Sequence, residues 1–198
     1  MAECNVESTV IYNGHSSDEF FYGNKTINNP RTIIMLGNFA SYKGGKLGLN
    51  ILARLHKKYG IRIIVFGVTP YEGIPDYVEF YCQPERSSLM SLYQNSDICL
   101  FPSKQEAWGL TAIEAMANKV AVVGFSTGCL KEICTDGVNA LVIDNGSEED
   151  LEKAVERLIL DETLMITIQN NGFELVKNFS WESAGKKFET ELLSILNG

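Results

Sequence analysis

The chain has 198 residues, 45% of them hydrophobic and 21% charged, with a net charge of -8 and a pI near 4.8. That length and composition suit one globular domain with a real core, and the acidic balance argues against a general nucleic-acid surface. The cysteines Cys4, Cys82, Cys99, Cys129 and Cys134 are scattered and form no C-x-x-C pair, and His15 and His56 complete no convincing metal set.

Residues 1–30 read as an irregular, linker-like lead-in, with a short strand at Val10–Tyr12 and a turn at Asn13-Gly14. The opening Met1–Val10 is polar and acidic and has no signal-peptide pattern. Thr32–Leu36 is the first strong strand. A loop through Gly37, Asn38 and Phe39 ends at Lys43-Gly44-Gly45. A helix follows with Leu47, Leu49, Ile51, Leu52 and Leu55 on one broad face and Gly60 as its C-cap. Arg62–Phe66 is the second strand, and Thr69–Pro75 is a loop. Tyr77–Tyr81 is a weaker third strand, and Ser87–Gln94 a short helix.

Asp97–Phe101 is the fourth strand. It runs through Pro102 and Ser103 into a helix that begins near Gly109. Val120–Val123 is the fifth strand, with the small-residue loop Ser126-Thr127-Gly128 after it. A short helix begins at Lys131, and Ala140–Ile143 is the sixth strand. Ser147, with Asp150 three residues on, starts a helix to about Leu160. Further helices cover 161–177 and 180–196. No run approaches the roughly 20 apolar residues needed to span a bilayer. Strands alternating with helices predict an α/β fold, a doubly wound parallel sheet of about six strands with helices on both faces. The whole of 1–198 reads as a single domain, closed by a terminal helix at 180–198.

In such a sheet the strand-to-helix loops emerge on one edge, where ligands bind. The stretch from Phe101 to Met116 is the richest of them. Glu106 lies in its loop and Glu114 early in its helix. The amides of Trp108, Gly109, Leu110 and Thr111 lie at the helix start, where N–H groups lack intrahelical partners and can hold a phosphate. Lys43 is placed to neutralise a diphosphate. The backbone of Ser103 either ends the strand or meets a nucleobase edge, and Trp108 is either core or one wall of a sugar site. The amides suit an anion and the carboxylates suit hydroxyls. A sugar nucleotide carries both. Each glutamate alone would equally suit a solvated surface.

The ordered motifs carry a resemblance over about 10–196. P-S, E-A-W-G-L, E-A-M-A, V-A-V-V, T-G, K-E-I and D-G-V-N-A-L-V resemble the donor-nucleotide half of family 4 (group 1) retaining glycosyltransferases. Their usual pattern is P-S-x-x-E-G-F-G-L, E-A-M-A-x-G-x-P-V, G-G-x-x-E and D-G-x-N-G. I-Y-N-G-H-S-S-D-E-F is similar to their P-N-G-V-D segment, G-N-F-A-S-Y-K-G to their G-R-L-x-x-x-K-G loop, and F-S-W-E-S-A-G-K-K-F-E to their terminal helix.

The resemblance implies one Rossmann-like half of a GT-B fold. It implies Glu106 at the donor sugar and its developing charge, and Glu114 on the ribose hydroxyls. Lys43 and the amides of Gly109 and Leu110 would hold the diphosphate beside the Gly37-Asn38 loop. The ligand would be a UDP-, GDP- or ADP-sugar, with no cofactor and no bound metal. Transfer would retain configuration and go to a glycan or lipid-linked acceptor. The acceptor-binding N-terminal half would lie elsewhere, in a longer chain or a partner subunit, and the chain alone would transfer little. The cytoplasm is the expected compartment, with any membrane contact made through the missing half. The departures are Asn38 for the usual arginine, Cys129 and Ala140 for glycines, and Ala121 for proline. The loss of the arginine also suits a non-catalytic nucleotide-sugar-binding module.

Overall fold

The computed structural model describes residues 8–69, 72–144 and 146–197. Met1–Glu7, including Cys4, and two residues of the expected Thr69–Pro75 loop lie outside the described residues. Six strands form one sheet: β1 (Thr32–Leu36), β2 (Arg62–Gly67), β3 (Val78–Cys82), β4 (Ile98–Phe101), β5 (Ala121–Phe125) and β6 (Leu141–Ile143). Their order is β3-β2-β1-β4-β5-β6, and every pairing is parallel. The direction of winding reverses between β1 and β4. The loops leaving those two strands therefore turn to opposite faces and leave a crevice between them.

The central strands are apolar on both faces because both faces are covered. On one face Ile33, Met35, Ile63, Val65, Leu100 and Val123 pack with Ile51, Leu52 and Leu55 of α1 (Gly45–Tyr59) and with Leu151, Val155 and Leu158 of α5 (Glu148–Leu160). On the other, Ile34, Ile64, Phe66, Cys99 and Val122 pack with Met90 and Tyr93 of α2 (Arg86–Gln94), α3 (Leu110–Ala117) and Phe173 of α6 (Glu162–Val176). Two further helices complete the chain order, the single turn α4 (Cys129–Glu132) before β6 and the long α7 (Trp181–Asn197) at the end. The expected helix punctuation holds. Gly60 takes a left-handed φ of 65° and its N–H bonds to His56 O at 2.8 Å. The Ser147 hydroxyl accepts from the Asp150 N–H at 3.2 Å.

Three expectations change. Val10–Tyr12 is not a strand. It runs beside α7, where Lys187 Nζ donates to Val10 O at 2.8 Å, and the nearest sheet-like pairing is an isolated bridge from His15 to Ser180. The helix expected from Lys131 starts at Cys129, because the Cys129 N–H bonds to Trp108 O at 2.6 Å immediately after Gly128. The described part of the lead-in is also built into the domain. Phe20 is 8% exposed, and the Phe21 N–H donates to Ala117 O at 2.9 Å. Among the described residues no helix is long and apolar enough to cross a membrane.

Candidate functional site

Three strand-end loops meet at the crevice, and small residues let them do so. Gly44, at φ 70°, caps α1 where an added Cβ would lie 2.2 Å from Pro102 O. Gly128, at φ 50°, is pressed on the next loop, with Trp108 O 2.4 Å and Glu106 Cβ 2.9 Å from an added Cβ. A side chain at either position would push the loops apart. Polar contacts complete the joint. Ser103 Oγ donates to Lys43 O at 3.3 Å, and the Glu106 N–H donates to Thr127 Oγ1 at 3.1 Å.

This joint brings Lys43 and Glu106 together. Lys43 ends the 3-10 turn Ser41–Lys43 after β1, and its ammonium lies 2.7 Å from Glu106 Oε2. The side chains are 22% and 11% exposed, so neither is an ordinary surface charge. Gly109 caps α3 at φ 96°, where an added Cβ would lie 2.8 Å from the Phe101 ring. Ala112 is the first α3 amide bonded back within the turn, to Gly109 O at 3.0 Å. The Leu110 and Thr111 amides precede it, in the positions that have no intrahelical acceptor. Leu110 is 42% exposed, so that helix end is open to a ligand. The helix dipole adds partial positive charge there.

Gly37 and Asn38 line a separate part of the crevice, a cavity of about 320 Å³ shared with Phe39, Ala40, Val68 and Thr69. Asn38 turns its side-chain oxygen onto the Ala40 N–H at 3.1 Å. It shapes its own loop and brings no positive charge.

Glu114 is only 13% exposed and does not touch Glu106's partners. Its Oε1 accepts from Arg86 Nη1 at 2.6 Å, and its Oε2 from the Tyr93 hydroxyl at 3.2 Å. Burial raises the Tyr93 phenol well above its usual pKa, so it acts as a donor. Arg86 also grips Glu19, whose carboxyl it holds below the usual range. Trp108, read from the sequence as either core or sugar wall, is 7% exposed and stacked on Tyr12, with centroids 4.4 Å apart. It packs inward. Sequence reasoning did not find Arg86, Tyr93 or Glu19. They lie outside the motif: Arg86 and Tyr93 reach Glu114 from α2, and Glu19 reaches Arg86 from the 3-10 turn Ser17–Glu19 of the lead-in.

The comparisons bear on the family and the fold. The family profile of glycosyl transferases group 1 matches residues 16–175. An uncharacterized glycosyltransferase of Methanocaldococcus jannaschii is 28% identical over 181 residues, covering 87% of this chain and 50% of that protein. The chain spans half or less of the length of the curated relatives it matches first. The crystal structure of the C-terminal domain of a group 1 family protein from Francisella tularensis matches with a TM-score of 0.72 and 25% identity, covering 83% of this chain and 97% of that one. The Anabaena protein HepE, solved in complex with UDP-glucose, matches with a TM-score of 0.78 and 19% identity, covering 94% of this chain and 57% of that one. The six-stranded parallel sheet is thus one Rossmann-like half of a GT-B glycosyltransferase, and the chain belongs to the glycosyl transferases group 1 family.

Proposed function

We propose that this chain is the donor-binding half of a retaining, metal-independent glycosyltransferase and takes a nucleotide-diphosphate sugar in the crevice between β1 and β4. The observation that carries the reading is the close pair of Lys43 and Glu106 at the mouth of α3, at 2.7 Å. An ammonium and open helix amides suit a diphosphate leaving group, and stabilising that charge is an electrostatic contribution to catalysis. The carboxylate beside them faces the sugar and the positive charge that develops at its anomeric carbon. Glu114 takes the ribose hydroxyls, and the Gly37-Asn38 cavity receives another part of the donor. HepE, the structural neighbour bound to UDP-glucose, supports this class of ligand.

Transfer to a glycan or lipid-linked acceptor needs a second half, in a longer chain or a partner subunit. Support comes from the length of the relatives and from α7. Trp181, Phe188 and Ile195 recur every seventh residue on that helix and are 52%, 60% and 76% exposed, with Leu192 at 46%. Residues 8–11 lie beside it and with it line a groove of about 740 Å³. A half joined through that segment would meet the stripe and cover it.

The test is transfer by the complete two-half protein. Glu106→Ala abolishes transfer and leaves nucleotide binding largely intact. Undiminished transfer would overturn the role of Glu106. It would favour the second reading, a nucleotide-sugar-binding module without catalysis, which the neutral Asn38 side chain supports.

A further inference from the structure

Among the described residues Arg86 is the one cation on Glu114, and its geometry is specific. Its Nε and Nη2 fork onto both oxygens of Glu19, Nη2 at 2.5 Å from Oε2. That leaves Nη1 aimed at Glu114 Oε1, 2.6 Å away. The guanidinium is planar and its donors are fixed relative to one another, so gripping Glu19 sets the direction of Nη1. The second Glu114 oxygen is fixed by the buried Tyr93 hydroxyl. Each carboxylate oxygen can accept more than one hydrogen bond. Arg86 and Tyr93 therefore take one acceptor direction on each oxygen, and among the described residues no other hydrogen bond to either oxygen is seen.

Two open acceptors on one rigid carboxylate match a cis diol, whose hydroxyls are spaced to meet both. We infer that Arg86 is a positioning residue: it holds the Glu114 carboxylate in the orientation that accepts both ribose hydroxyls and so makes the site select ribo- over 2′-deoxyribonucleotides. This rests on the reading of Glu114 as the ribose-holding group. The aim of Glu114 is then set by a segment well outside the crevice. Glu19 sits in the 3-10 turn Ser17–Glu19, with His15 Nδ1 3.4 Å from its Oε2. The backbone N–H of His15 in turn donates to Phe179 O at 2.8 Å, just before α7.

The experiment is calorimetric titration of the chain with UDP, GDP and ADP and with their 2′-deoxy counterparts, read as the ribo-to-deoxy affinity ratio. The parent chain prefers the ribonucleotide, and Glu114→Ala brings the ratio close to one. Arg86→Met also lowers the ratio by most of its value, and Arg86→Lys restores part of it. A purely structural role would weaken both ligands equally and leave the ratio unchanged. If Glu114→Ala erases the preference and Arg86→Met keeps it, the positioning role is overturned and the ribose reading stands. If the parent binds none of the nucleotides, or Glu114→Ala keeps the parent ratio, the ribose reading fails and takes this inference with it.

Discussion

Lys43 and Glu106 reach each other from the ends of two different strands, and each is legible in the sequence for its own reason. Lys43 stands before a glycine pair that opens a helix, and Glu106 stands eight residues before Glu114 in a strand-loop-helix. Their contact at 2.7 Å is not legible, because it needs the parallel order that sets β1 beside β4. Arg86 is the clearer miss. Nothing in its local sequence distinguishes it from a surface charge at a helix start. Lys119 is a second miss. The family pattern carries glycine at that position, and here the lysine takes φ 52°. A left-handed residue with a Cβ costs roughly 1–2 kcal/mol, which glycine avoids. Lys119 keeps its place through contacts, with Nζ 2.8 Å from Gly23 O and 5.1 Å from the Phe173 ring centre. Lys119→Ala removes the contacts and keeps the strain, whereas Lys119→Gly removes both. Urea denaturation should find the glycine variant more stable than the alanine variant by about 1 kcal/mol, and equal stabilities would contradict this.

At the scale of elements, most helices and strands were readable from periodicity and punctuation, because a doubly wound sheet buries whole apolar runs. The lead-in was harder to read. It carries no periodic pattern, and its order comes from single anchors. Lys25 is the chief one. Its Nζ donates to Tyr93 O at 3.0 Å, Gln94 O at 2.8 Å and Asn118 O at 3.4 Å. It thereby satisfies the carbonyl ends of α2 and α3 together, where a cation is favoured by both dipoles. These are the two helices that carry Arg86 and Glu114. Lys25→Met should cost about 1.5–3 kcal/mol, the range for charged hydrogen bonds whose acceptors are left without a partner. The pH dependence has a definite sign. Burial lowers the Lys25 pKa to about 8, against an opposing pull from Asp97 and with a further push down from Lys119. Between that value and the ordinary 10.5 the unfolded chain holds the proton that the folded chain has released. Stability from this group therefore rises with pH across that window. The difference between the parent and Lys25→Met, followed by urea denaturation, should widen from pH 8 to pH 10. A difference that stays flat or narrows would contradict the account.

At the scale of the molecule, the chain is one Rossmann-like half with its proposed donor site at the β1/β4 switch point and an apolar stripe along α7. The motifs were in register over nearly the whole chain, so family and fold could be read from the sequence. The orientation of Trp108 could not, because a tryptophan beside a glycine suits a sugar wall and a core equally. Its stacking on Tyr12 depends on the path of the lead-in, which the sequence presented as loose. The central claim is that this half holds a nucleotide diphosphate by itself, with Glu114 on the ribose. Calorimetric titration of the chain with UDP, GDP and ADP, repeated with Glu114→Ala, tests it most directly. One nucleotide should bind, and the substitution should weaken it by about 1–3 kcal/mol, the loss expected for a charged hydrogen bond. Binding of none of the three, or binding that Glu114→Ala leaves unchanged, would contradict the claim.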